Sequence, residues 1–160
     1  MSAHRWIPDA VTRRAACFTL AVIGLDQLTK LTATLVATGQ STGLLVPVHN
    51  PRFSLGVAAA PLPVMVVVMA AGIAAGGGYA LRAATRGRLP AWVPGLLVVG
   101  ASSNLLDRLL LGSVRDFLAT PWAVINLADL AVVAAVVGAA LIRLTQRATV
   151  ATTPRKEVYL

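Results

Sequence analysis

Acids are scarce in this chain, six among 160 residues against 14 lysines and arginines. Asp26, Asp107, Asp116 and Asp129 lie within or at the ends of long apolar runs. An ionised side chain at the centre of a membrane helix costs about 2.5–3.5 kcal/mol on insertion scales, so acids placed there are paired or functional. Two carboxylates in one dry site cannot both ionise; one keeps its proton while the other activates water against a carbonyl, with no metal or cofactor. Asp26 and Lys30 stand at i, i+4, where they can pair. Asp107 beside Arg108 allows an ion pair at a helix end. Asp129 has no basic residue within four positions, so it needs a partner from another helix or must carry a proton.

Other chemistries find little support. His4 and His49 are not spaced as zinc ligands, and no His-Glu-x-x-His occurs. Cys17 is the single cysteine, which excludes an internal disulfide and a cysteine-rich metal site. Ser102 and Ser103 could act with Lys30 as base, but no nucleophile elbow frames them. Gly76–Gly78 lies inside an apolar run and cannot cradle a phosphate as a P-loop does. No metal site and no cofactor are expected.

The elements that must carry these residues follow from composition. With 57% hydrophobic and 12% charged residues and a mean hydropathy of +0.76, the chain is too apolar for an ordinary soluble domain. The net charge of +8 does not indicate nucleic acid, because the basic residues punctuate apolar runs rather than form one patch with stacking aromatics. Four runs match the roughly 20 residues needed to cross a bilayer: about Ala15–Ala37, Pro63–Leu81, Ala91–Leu111 and Pro121–Ile142. Arg5, Arg13, Arg14, Arg82, Arg86, Arg88, Arg143, Arg147, Arg155 and Lys156 all fall on one side of that arrangement. Both termini are therefore expected in the cytoplasm, with the acids toward the outer leaflet. A cleavable signal at the first run is the competing reading, opposed by Asp26, Gln27 and Lys30 within it.

Asn104, Asp107 and Arg108 share one face of the third run, and Asn126 and Asp129 one face of the fourth. Counted from Pro121, Asp129 would lie about 12 Å below the outer surface. Asn104, Arg108 and Asn126 are each within a turn of an acid, placed to hold a substrate backbone or orient the acids. The long outer stretch Thr38–Leu62 contains a candidate strand, Leu44–His49, and a turn at Asn50-Pro51. The expected fold is an all-α membrane protein: four transmembrane helices, a small outer loop or β element at the membrane surface, one domain over residues 1–160, and residues 143–160 as a cytoplasmic tail.

Taken in order, Asp26-Gln27-Leu28-Thr29-Lys30, Asn104-Leu105-Leu106-Asp107-Arg108, Gly112-Ser113-Val114-Arg115-Asp116-Phe117 and Asn126-Leu127-Ala128-Asp129 resemble the motifs of bacterial lipoprotein signal peptidase, the signal peptidase II family of membrane aspartic proteases. The resemblance implies an endopeptidase of the bacterial cell membrane with Asp116 and Asp129 catalytic. It also implies Asn50, Asn104, Arg108, Asn126, Asp26, Lys30 and Asp107 as substrate-binding or supporting residues. The implied partners are membrane lipids and a prolipoprotein whose cysteine carries diacylglycerol, cut on the amino side of that cysteine. Two features depart from the family pattern: Asn50-Pro51-Arg52-Phe53-Ser54-Leu55-Gly56 carries Arg52 where a small residue is usual, and the Asp116 to Asp129 separation is short. A reading from another class is a non-catalytic small transporter or lipoprotein-binding relative, whose acids bind protons or lipid headgroups.

Overall fold

The computed structural model describes residues 10–36, 43–52 and 60–152. In chain order the elements are α1 (Ala10–Val36), β1 (Leu45–Asn50), α2 (Leu62–Gly72), a π-helical turn (Ile73–Gly77), α3 (Gly78–Thr85), α4 (Trp92–Leu111), β2 (Val114–Ala119), β3 (Val124–Ile125) and α5 (Leu127–Thr152). The chain is mostly helical, and three stretches are long and apolar enough to cross a membrane: Leu62–Thr85, Trp92–Leu111 and Leu127–Ala148. The 27-residue helix α1 is not among them, because Asp26, Gln27 and Lys30 interrupt its apolar run.

The burial pattern is inverted relative to a water-soluble protein. Leu20, Val36, Val67, Leu110, Val133 and Leu144 point outward, whereas Asp26, Lys30, Ser103, Asp107 and Asn126 are fully buried. Apolar side chains on the outside and satisfied polar ones inside suit lipid as the surrounding medium, since lipid offers a polar group no partner. The helices meet through small residues. A Cβ on Gly100 of α4 would run into the Ala128 carbonyl of α5, so glycine lets the first turn of α5 sit directly on α4.

The expected fourth run begins too early. Pro121–Ile125 belongs to a tight hairpin and to β3, and α5 starts only at Leu127. The side chain of Thr120 closes that hairpin, donating to the Ala123 carbonyl at 2.6 Å and accepting from the Ala123 amide at 3.0 Å. Asp129 is therefore in the first turn of α5, not two turns down a helix. Residues 143–152 continue α5.

The three strands form one antiparallel sheet in the order β1-β2-β3, with Val48 opposite Asp116 and Asn50 opposite Val114. β1 falls where a short strand is expected, while β2 and β3 are additions. β2 is reached because α4 stops at Gly112, whose φ of 72° is the left-handed cap that glycine accepts freely. The Gly112 amide donates to the Arg108 carbonyl at 3.0 Å.

Candidate active site

Two connected groups of acids occupy the space where α1, α4, α5 and the sheet converge. In the first, Lys30 pairs with Asp26 at 2.7 Å and with Asp107 at 3.1 Å, and Arg115 pairs with Asp107 at 2.7 Å. The four formal charges cancel. Asp26 also accepts from Ser103 Oγ at 2.7 Å and from the Ala128 backbone amide at 2.9 Å. A carboxylate on α1 thus satisfies a free N–H at the start of α5, where the helix dipole favours negative charge. Asp107 accepts the backbone amide of Arg115 at 3.0 Å, which pins the start of β2 to the end of α4. Gln27 completes the group, accepting from Arg115 at 2.6 Å and donating to Ser103 and Asp107.

The second group holds Asp116 and Asp129, and among the described residues neither belongs to an ion pair. Asp116 is buried on β2 and accepts Asn126 Nδ2 at 2.6 Å and Asn50 Nδ2 at 3.0 Å. Asp129 accepts Asn104 Nδ2 at 2.8 Å and the Asn126 backbone amide at 3.2 Å. In return, Asn126 Oδ1 accepts the Asp129 amide at 2.9 Å. Asn126 and Asp129 therefore form a reciprocal cap on α5, a variant of the capping box in which the acid is aspartate. The local sequence ties one oxygen of that carboxylate to the helix start, and Asn104 of α4 holds the other.

Asn104 joins the two groups. Its Oδ1 accepts from Lys30 and from Asn126, each at 3.0 Å, while its Nδ2 donates to Asp129. Both hydrogens of the Asn126 side-chain amide are used, one on Asn104 and one on Asp116. Arg108 donates to the Arg52 carbonyl at 2.6 Å and to the Asn104 carbonyl at 3.3 Å, and its buried Nε has no partner among the described residues.

Asp116, Asp129, Asn50, Asn104 and Arg108 all line one cavity of about 380 Å³. Its remaining wall is apolar and includes Met69, Ile73, Leu97, Val132 and Val133. Burial, reinforced by the nearby Asp129 charge and opposed by the Asn50 and Asn126 hydrogen bonds, pushes the Asp116 carboxyl up to about 6. Among the described residues Arg108 is the only cation lining the cavity, so a single proton held between the two carboxyls brings the group to neutrality.

All nine site residues expected from the sequence lie in these two groups, five at the cavity. Asn126 orients both cavity acids, and Asp26, Lys30 and Asp107 sit behind them. The expected Asp107–Arg108 ion pair is replaced: Asp107 turns to Lys30 and Arg115, and Arg108 turns to two backbone carbonyls. Asp129 finds its partner in neutral Asn104 rather than in a cation. Arg115 is a site residue that the sequence reading misses. Strand alternation beside Asp116 would send its side chain to the opposite face of β2, but β2 itself is not among the expected elements. Phe53 to Leu55, together with Gly56, lie outside the described residues.

The sequence pattern of a family described as signal peptidase (SPase) II matches residues 18–145. Two solved structures share the fold. One, titled as a bacterial membrane enzyme determined by the in meso method at 2.3 Å, has a TM-score of 0.71 at 20% identity and covers 91% of this chain and 94% of its own. A second, with the same title at 1.9 Å, has a TM-score of 0.63 at 22% identity and covers 81% of this chain and 91% of its own. No curated protein matches.

Proposed function

The chain belongs to the signal peptidase II family, and from that premise we propose that it is a membrane aspartic endopeptidase removing the signal peptide from diacylglyceryl-modified prolipoproteins. Asp116 and Asp129 form the dyad and water is the nucleophile. The observation that carries this reading is the pair of carboxylates, neither in an ion pair among the described residues, facing one partly apolar cavity and each held in place by asparagine amides.

The ionised member takes a proton from water as its oxygen attacks the scissile carbonyl. The protonated member donates to the carbonyl oxygen, giving a tetrahedral diol. Collapse then breaks the C–N bond, and the proton taken from water passes to the departing amine. Asn50, Asn104 and Asn126 hold the two carboxyls at fixed angles. Arg108, with one donor unused, is placed to bind a substrate carbonyl. The apolar wall accepts the lipid-proximal part of the precursor.

In this reading α1 is the fourth transmembrane helix, its polar residues being spent on partners inside the bundle rather than on lipid. Both termini face the cytoplasm, and the sheet lies at the outer surface, where the exposed Trp122 of the hairpin enters the headgroup zone. Reporter fusions after residue 86 and after residue 121 should report inside and outside respectively; the reverse result overturns the orientation. The test of function is cleavage of a diacylglyceryl-modified precursor by purified protein, with Asp116→Asn and Asp129→Asn alongside. If both variants kept cleaving, the acids would belong to the non-catalytic reading of proton or headgroup binding.

A further inference from the structure

The end of the bundle opposite the acids carries a second set of built cavities that the hydrolytic reading does not use. Arg143 lies on α5 about 21 Å beyond Asp129 at the helical rise per residue. A cavity of about 270 Å³ there is lined by Tyr79, Arg82, Ala83, Arg86, Arg88 and Arg143. A neighbouring one of about 400 Å³ is lined by Arg88, Arg143, Gln146 and Arg147. The two share Arg88 and Arg143, so five arginine side chains from α3, from the turn after it, and from α5 line adjoining cavities.

The backbone that carries Arg86 and Arg88, and the Arg143 side chain, are held in place. α3 ends in a Schellman motif, with the Gly87 amide on the Ala84 carbonyl at 3.0 Å and the Arg88 amide on the Ala83 carbonyl at 2.8 Å. Gln146 of α5 donates to the Arg88 carbonyl at 3.3 Å, clamping that turn to α5. Arg143 donates to the Tyr79 hydroxyl at 3.1 Å, which leaves the phenolic O–H free to donate. The ion pairs of Lys30 and Arg115 are at the other end of the bundle, and so are the four acids among the described residues. Five like charges gathered at the rim of an apolar bundle need a counter-anion, and planar guanidinium forks fit phosphate oxygens two at a time.

We propose that this arginine cluster binds the phosphate of an anionic phospholipid in the leaflet at that end, the acyl chains lying along the outward apolar side of α5, where Val136, Val137, Leu141 and Leu144 are exposed. A lipid rather than free phosphate is favoured because the cavities open beside helix surfaces that already face hydrocarbon, at headgroup depth.

The test titrates purified full-length protein in neutral detergent with phosphatidylglycerol or phosphatidylcholine of identical chains and counts bound lipid by native mass spectrometry. Phosphatidylglycerol should be retained about 10-fold better or more, and Arg82→Gln with Arg143→Gln should bring the preference to about twofold or less. Arg13→Gln with Arg14→Gln removes the same charge from the same end but from a separate cavity of about 470 Å³ on α1 that they line with Phe18, and should keep the preference. Equal loss in that control, or no preference in the wild type, overturns the proposal. Complete displacement of lipid by about millimolar glycerol phosphate would assign the cluster to free phosphate esters and also overturn it. Salt dependence needs no variant: retention should fall steeply as sodium chloride is raised, and salt-insensitive retention counts against the proposal.

Discussion

Asp107 and Asp116 lie nine positions apart, both buried, yet the bundle treats them differently. Asp107 is enclosed by Lys30, Arg115 and Gln27, with its charge cancelled and its oxygens committed to holding β2 against α4. Asp116 is offered amides by Asn50 and Asn126 and stands across a cavity from Asp129. A carboxylate wrapped by cations is locked in its ionised form and becomes an anchor. One wrapped by neutral amides keeps its orientation and can still exchange a proton. The same residue type is thus structural in one group and chemically available in the other.

The largest test of that contrast is removal of the proton-exchanging group. Asp116→Asn or Asp129→Asn should lower the cleavage rate by about 10³-fold or more, with an unfolding midpoint within a few degrees of wild type. Near-native turnover in either variant would break the contrast. Asp107→Ala should show the opposite pattern. Lys30 and Arg115 lose their shared counter-charge, so stability should fall by about 3–5 kcal/mol, read by thermal unfolding in detergent. Whatever protein remains folded should cleave with an unchanged KM.

Arg108→Lys should reduce kcat/KM by about 10- to 100-fold, because a single ammonium cannot hold two backbone carbonyls and also reach a substrate. Wild-type kinetics would make Arg108 a purely structural clamp between α4 and the segment after β1.

The smallest effects concern pH. Asp116 is pushed up to about 6 by burial and then by Asp129, so the folded state holds a proton that the unfolded chain releases near pH 4. The associated stability is fully present below about pH 4 and is lost as pH rises toward 6. Unfolding midpoints should therefore decline over that window by more in wild type than in Asp116→Asn. The apparent limb of the rate profile belongs to the pair rather than to one residue. It should move upward in Asn50→Ala, which removes a hydrogen bond that favours the ionised form of Asp116; a downward shift would contradict the assignment.

Part of this contrast is legible in local pattern. The i, i+4 spacing of Asp26 and Lys30 puts two side chains within reach on one helix, and that pair forms; Asn126 and Asp129, at i, i+3, instead each meet the other's backbone amide at the start of α5. Adjacency misleads in Asp107-Arg108, because successive helical side chains point about 100° apart and each finds a better partner elsewhere. The start of α5 is displaced because the apolar stretch leading from β2 into the hairpin reads as membrane span as readily as strand; a short run cannot separate the two by period. The hairpin also accounts for the short Asp116 to Asp129 interval. A strand, a tight turn and a cap suffice, since Asn126 bonds both acids.

Composition and spacing are enough to establish that the chain is unusually apolar, that four of its six acids lie within or beside apolar runs, and that most basic residues flank those runs. Those features follow from the cost of leaving a charge in lipid. Which acids receive cations is a property of the folded bundle alone. Lys30 reaches Asp107, and Gln27 reaches Arg115, across about 80 to 90 positions of chain, and Asn50 reaches Asp116 across 66. Pairing energy depends on distance in space, and spacing along the chain reports that distance only within a turn or two of one helix.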